Sequence, residues 1–263
     1  MTPLKNTFGS SVSVTIFGES HGDMIGAVLD GIAPGINVDS DFIRRQMSLR
    51  KSISSISTAR CEADEVKIIS GVYNGKTTGT PITFIIENQD SHSKDYGELA
   101  YKARPGHADY TASVKYHGFQ DFRGGGHFSG RITAGIVAAG AIVIQALRAK
   151  GVFIGTHILS CAGVYDRCFE NISDDIKKLN ELDFAILDDN SANKMIDKIE
   201  TAKKDGDSVG GRLETAVYGL LAGVGEPWFD SLESVLSHAL FSIPAVKGVE
   251  FGDGFEISDK TGS

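Results

Sequence analysis

The segment Ser129 to Lys150 constrains this chain more than any other, because it has the length and alanine content of a long helix and carries no charge between Arg131 and Arg148. Gly135, Gly140 and Gln145 interrupt the apolar run Ile132–Leu147. It therefore reads as a buried helix rather than a membrane span. A buried helix needs layers to cover it, and the flanking sequence offers strands. Val12–Phe17, Ala27–Leu29, Val66–Ile69, Pro81–Ile86, Arg212–Leu221 and Val249–Ile257 alternate or run apolar, and Asn74-Gly75-Lys76 is a hairpin signal. Asp39 or Ser40 is placed to cap a helix carrying Phe42, Ile43, Gln46, Met47 and Leu49, and Ser231–Phe241 has helical character. Strands mixed with helices among 31 glycines favour α+β over a doubly wound parallel sheet.

Composition narrows the function. At 263 residues, 41% hydrophobic and 23% charged, the chain is of soluble globular type and long enough for a substantial core. Its net charge of -8 argues against a general nucleic-acid or anionic-membrane surface. Cys61, Cys161 and Cys168 form no C-x-x-C pair, which argues against a disulfide framework and a thiolate zinc site; they are expected to be small buried residues in a reducing, cytoplasmic protein. Met1–Ser10 has no apolar run resembling a signal peptide. The charge is nevertheless uneven. Lys102–Arg131 holds five Lys or Arg against Asp109 and Asp121, with His107, His117 and His127 among them, whereas Glu170–Asp207 is rich in acids and reads as exposed helices and loops. A basic segment in an acidic protein suggests an anionic small molecule.

Four motifs bear on chemistry. Gly18-Glu19-Ser20-His21-Gly22 matches the G-x-S-x-G pattern of a serine hydrolase with Ser20 as nucleophile, but Asp23–Asp30 is β-like where that pattern requires a helix. His21 is better read as a proton donor or anion contact. Gly71–Thr77 is one residue short of a nucleotide phosphate loop and is followed by a strand, so it reads as a hairpin. Arg123-Gly124-Gly125-Gly126 leads into the long helix, where glycines let backbone amides approach a phosphate. The ten-residue spacing of the three histidines has no meaning for metal ligation, and no metal is expected. Arg44, Arg45, Arg50, Lys51 and Arg60 form a second basic stretch, of which one or two can clamp a phosphate or carboxylate.

Taken in order, these motifs resemble the chorismate synthase family. The resemblance rests on Thr15–Gly22, Asp30-Gly31 to Pro34-Gly35, Ser57–Arg60, Thr78–Ile82, Arg104–Tyr110, the triple-glycine helix start, Gly206–Gly211, Gly225-Glu226-Pro227 and Ala245–Glu250. It implies anti-1,4-elimination of phosphate from 5-enolpyruvylshikimate 3-phosphate to give chorismate, with reduced FMN as cofactor and NADPH as a possible reductant. It implies a β-α-β sandwich with an internal pseudo-twofold repeat. An echo in the chain agrees: Ala27-Val28 through Gly31 to Asp39-Ser40 is matched by Ala216-Val217 through Gly219 to Asp230-Ser231, each leading into a helix. Members usually assemble as homotetramers.

Carried over by position, the resemblance implies that His21 protonates the departing phosphate, that His107 sits near N1 of the flavin, and that Ser20 and Ser129 belong to a proton relay towards N5. It places flavin contacts on His127, Phe128, Ser129, Arg131, Pro244 and Ala245, and substrate or NADP phosphate contacts on Arg50, Arg45 and Arg104. Ser48–Ser52 and His127–Arg131 depart from the commoner arginine-rich patterns at those positions. Residues 1–263 are expected to form a single domain lacking the family's C-terminal portion, which carries further flavin-binding and catalytic residues. A serine hydrolase and a non-catalytic basic scaffold are the rival readings.

Overall fold

The computed structural model describes residues 5–50, 56, 64–88 and 102–262. Lys51, Ser57–Arg60 and Cys61 lie outside the described residues. The chain separates into two compact units, Met1–Leu220 and Leu221–Ser263.

The first unit is built on an antiparallel sheet with the strand order β1 (Thr7–Gly9), β2 (Ser13–Gly18), β3 (Met24–Asp30), β7 (Ile82–Glu87), β4 (Lys67–Ser70). Between β4 and β7 the expected hairpin forms from β5 (Val72–Tyr73) and β6 (Lys76–Thr77). Asn74 (φ 48°) and Gly75 (φ 70°) take the two left-handed positions of its turn. In the β3–β7 register Ile25 faces Ile86, Ala27 faces Phe84 and Leu29 faces Ile82. All six are buried, because side chains two apart share one face.

That face is covered by α3 (Thr133–Ala149), the helix foreseen from the sequence, whose Ala134, Ala138, Ala141 and Ile142 join the same core. The helix lies close because Gly135 has no side chain at the crossing: a Cβ there would come within 2.9 Å of the Gly26 carbonyl oxygen and 3.6 Å of the Ala27 Cβ. Helix α1 (Ser40–Ser48), capped by the Asp39 carboxylate, buries Ile43 and Met47 in this core, with Arg148 stacked 4.6 Å from the Phe42 ring.

A second antiparallel sheet has the order β10 (Gly211–Tyr218), β8 (Phe153–Cys161), β9 (Val164–Tyr165), with α4 (Ile172–Glu181) and α5 (Asp189–Lys204) in the acidic stretch. The sequence reading had no strand at β8, and burial there explains why. The strand carries His157 on a fully buried position, held by Asp166 at Nδ1 (2.7 Å) and Glu214 at Nε2 (2.8 Å). A polar residue at a core position masks the apolar alternation that signals a strand. Cys161 is buried as expected, but Cys168 is exposed, since it falls in the loop between β9 and α4.

The second unit contains α6 (Leu232–Phe241), capped by the Ser231 hydroxyl, between two short 3₁₀ turns. The strand expected at Val249–Ile257 is absent. Gly252 and Gly254 adopt φ of 59° and 56°, which breaks an extended run, and Gly254–Asp259 closes into a 3₁₀ turn. The strand–loop–helix order of the sequence echo is present, from β3 to α1 and from β10 to α6. The strands differ in setting, however: β3 is the middle of five and β10 the edge of three, so the described elements do not establish a twofold relation.

Candidate functional site

The loop after β2 is pinned from two sides. Asn88, just past β7, donates from its side chain to the carbonyls of Glu19 (3.0 Å) and Gly22 (2.8 Å). From the other side the triple-glycine segment folds over it. The Ser20 amide donates to the Gly126 carbonyl (3.2 Å), and a Cβ on Gly124 would stand 2.1 Å from two atoms of the His21 ring. Gly126 is equally confined, with the Asp121 carbonyl oxygen 2.0 Å from where its Cβ would be. Gly124, Gly125 and Gly126 have φ of 58°, 87° and 54°, so the sequence reading that these glycines prepare a helix N-terminus needs correction. Their first task is to lay backbone on Ser20 and His21; α3 begins only after a further turn, Gly130–Ile132.

Ser20 is fully buried and His21 nearly so. The Ser20 Oγ lies 3.1 Å from His21 Nδ1 and 3.2 and 3.3 Å from the carbonyl oxygens of Gly124 and Arg123. A carbonyl can only accept, so when the hydroxyl donates to one of them, Nδ1–H of His21 donates to Oγ. Nε2 is then the second ring nitrogen of His21. No helix follows Ser20; the chain runs directly into β3. A buried hydroxyl without a strand-to-helix turn is not a nucleophile elbow, and the serine hydrolase reading loses its geometry.

Next to this loop is a cleft of about 450 Å³, within the range of small-molecule sites, lined by residues 102–113, 120–125 and 128–130 in part. Arg104, His107, Asp109, Gln120, Gly125 and Ser129 are among its walls. The short helix α2 (Asp109–Lys115), which the sequence reading did not foresee, forms one side; its first residue has no capping side chain before it. Arg104 grips Asp109 through Nε (2.9 Å) and Nη2 (3.0 Å), and these bonds pull the Asp109 carboxyl down to about 2. Arg123 holds Asp121 in the same way, at 2.7 Å, and lowers its carboxyl also. His107 donates from Nδ1 to the Pro105 carbonyl (3.1 Å), leaving Nε2 as its second ring nitrogen.

The other anticipated residues have different settings. His127 is not in the cleft wall; its Nδ1–H donates to the Gly18 carbonyl (2.8 Å), tying the glycine segment to β2. Phe128 lines the cleft, and Ser129 both lines it and caps the following turn through the Arg131 amide. Arg131 is buried, donating to Asn88 Oδ1 (3.0 Å) and pairing with Asp64, which also receives Arg50 at 2.5 Å. Arg45 is engaged by Asp183 and the carbonyls of Glu181 and Leu182, away from the cleft lining. Pro244 and Ala245 belong to the second unit, Ala245 with a strained φ of 70°. Asp64 and Asn88 were missed by sequence reasoning, since nothing local in sequence marks a carboxylate or amide whose partners lie far along the chain. No group of three or more potential metal ligands occurs among the described residues.

The fold and cleft thus define an α+β protein with a histidine-bearing cleft of small-molecule size. Residues 12–263 match the family described as chorismate synthase, and the chain belongs to that family. It is similar to the chorismate synthases of Thermococcus kodakarensis (42% identical), Pyrococcus abyssi (43%) and Dehalococcoides mccartyi (43% over 261 residues). The first two alignments cover 97% of this chain and 70% of the relative; the third covers 99% and 71%. A crystal structure of a chorismate synthase superposes with a TM-score of 0.77 at 26% identity, over 95% of this chain and 71% of that one.

Proposed function

We propose that this chain is a carbon–oxygen lyase that eliminates phosphate from 5-enolpyruvylshikimate 3-phosphate to give chorismate, with FMN bound in reduced form in the cleft. The observation that carries this reading is convergence. Ser20-His21 comes from the loop after β2, Arg104–Asp109 and Gly124–Ser129 come from one later basic segment, and they meet around one loop and cleft. Those are the segments on which the resemblance depends.

The walls suit a flavin on their own terms. The volume is adequate, Gly125 leaves backbone uncovered, the aromatic faces of Phe122 and Phe128 are present, and one buried carbonyl in the wall has no donor. When bound, reduced FMN supplies electron density to the substrate as the C–O bond breaks. In the elimination the C–O bond to phosphate breaks with its electron pair going to the phosphate, the C6–H bond breaks, one net double bond forms, and the C6 proton would be taken up on the side of the bound flavin, where the Ser129 hydroxyl would relay it. In this reading His21 Nε2 holds the proton for that phosphate, fixed by Ser20 at Nδ1. His107 Nε2 is a second proton donor on the cleft, fixed by the Pro105 carbonyl. Ser129 offers a hydroxyl, and Arg50 and Arg131, tied together through Asp64, set the charge behind it.

The test is a titration of FMN fluorescence with 5-enolpyruvylshikimate 3-phosphate present, alongside an assay for chorismate with chemically reduced FMN and with NADPH. The Thermococcus kodakarensis relative serves as positive control. Quenching is expected from the present chain, and chorismate formation from it or from a version extended to the full length of its relatives. Neither quenching nor product, with the control active, overturns the reading; product without NADPH separates the lyase from any reductase activity.

A further inference from the structure

Among the described residues, one buried side-chain atom lacks a hydrogen-bond partner: Oε1 of Gln120. The loop around it is otherwise well satisfied. Asp121 accepts three bonds from the Arg123 guanidinium and one from its amide, the Phe122 carbonyl accepts from the Gly125 amide, and the Gly126 carbonyl accepts from the Ser20 amide. A carbonyl removed from water without a donor costs free energy, and such an atom calls for a cause. Gln120 is in the wall of the cleft, which Phe122, Gly124, Gly125 and Phe128 also line, so a bound molecule met by a turn of the carboxamide is the missing partner best placed to supply a donor.

The chemistry of the side chain narrows what that molecule presents. A carboxamide offers an acceptor and a donor side by side, and its complement is an N–H next to a carbonyl. The flavin ring has this edge at N3–H, flanked by two carbonyls. 5-Enolpyruvylshikimate 3-phosphate has carboxylates, a phosphate and a hydroxyl, and no N–H. We propose that Gln120 recognises the imide edge of the flavin, with Oε1 accepting from N3–H and Nε2 donating to an adjacent ring carbonyl. The terminal torsion of glutamine is soft, so turning the carboxamide towards the cleft meets little resistance. This inference rests on the flavin reading proposed above.

The experiment compares FMN with 3-methyl-FMN, which lacks the N3 donor, by fluorescence quenching on the wild-type chain and on Gln120→Met. The wild type is expected to bind the methylated flavin about tenfold more weakly, and Gln120→Met to bind both at that weaker level. Its thermal midpoint without ligand is expected to equal or exceed the wild type's, since the orphaned acceptor is gone. Equal binding of both flavins by the wild type, or discrimination retained by Gln120→Met, overturns the role of Gln120 and leaves the flavin reading intact. If the variant does not fold, the wild-type comparison alone decides: equal affinities overturn the proposal, and a tenfold difference supports it. Failure of the wild type to bind either flavin overturns the flavin reading, and this inference with it.

Discussion

At the scale of single residues, the site depends on what is absent from Gly124 as much as on what His21 carries. A methyl at Gly124 would stand 2.1 Å from the His21 ring, at a φ of 58° that side chains rarely adopt. Gly124→Ala is therefore expected to destabilise the chain by about 1–3 kcal/mol in urea unfolding and to abolish chorismate formation. Gly106→Ala has a φ of 73° but open space around it, and should cost less and retain folding; equal costs would show that the contact with His21 does not matter. Asp109 makes a second residue-scale claim. Hydrogen bonds from the Arg104 side chain lower its carboxyl to about 2 in the folded chain. A depressed carboxyl contributes stability above its ordinary value near ~3.9 and loses it as pH falls towards about 2. The stability difference between wild type and Asp109→Asn should be constant between pH 5 and 8 and shrink below about pH 4; urea unfolding at fixed pH values measures it.

Elements meet where side chains are missing. Within α3, Gly135 and Gly140 look alike in sequence, and both should gain up to ~1 kcal/mol from alanine by helix propensity alone. The structure separates them. At Gly140 nothing lies within 4 Å of an added Cβ, so Gly140→Ala is expected to raise stability by up to that amount. At Gly135 the carbonyl of Gly26 is 2.9 Å away, and Gly135→Ala should lose about 1–3 kcal/mol as α3 is forced off β3. Thermal or urea unfolding of the pair reads the sign directly; two stabilising substitutions would mean that the helix does not approach β3 this closely. The same scale explains which elements were legible. The Asn74-Gly75 hairpin, α1 and α3 carry strong local signals of turn chemistry, capping and apolar period. β8 was lost because buried His157 is satisfied by Asp166 and Glu214, partners 9 and 57 residues away, and α2 because it is short and uncapped.

For the whole molecule, ligand and fold are linked. A ligand that binds only the folded chain, at a hundred times its dissociation constant, adds about 2.7 kcal/mol, or roughly 5–10 °C in the midpoint for a chain of this size. FMN together with 5-enolpyruvylshikimate 3-phosphate is expected to produce such a shift in scanning calorimetry; no shift with both at saturating concentration would count against a common site. Against the chain's net charge of -8, the segment Lys102–Arg131 is a basic exception in sequence, and the structure spends much of that charge on Asp109, Asp121 and Asp64. Residue order alone was enough for the mixed helix-and-strand class, the buried helix and the family, because each rests on local periodicity, turn chemistry or motifs in a set order. It was also enough to nominate Ser20, His21, His107 and Ser129. Tertiary structure alone decided that the glycines cover His21 before they serve any ligand, that Arg104 is committed to Asp109, that His127 ties the loop to β2, and that Gln120 is left without a donor. The reason is physical: a motif names chemical groups, but a group's task depends on which neighbour takes its hydrogen bonds, and most of these neighbours lie on other segments of the folded chain.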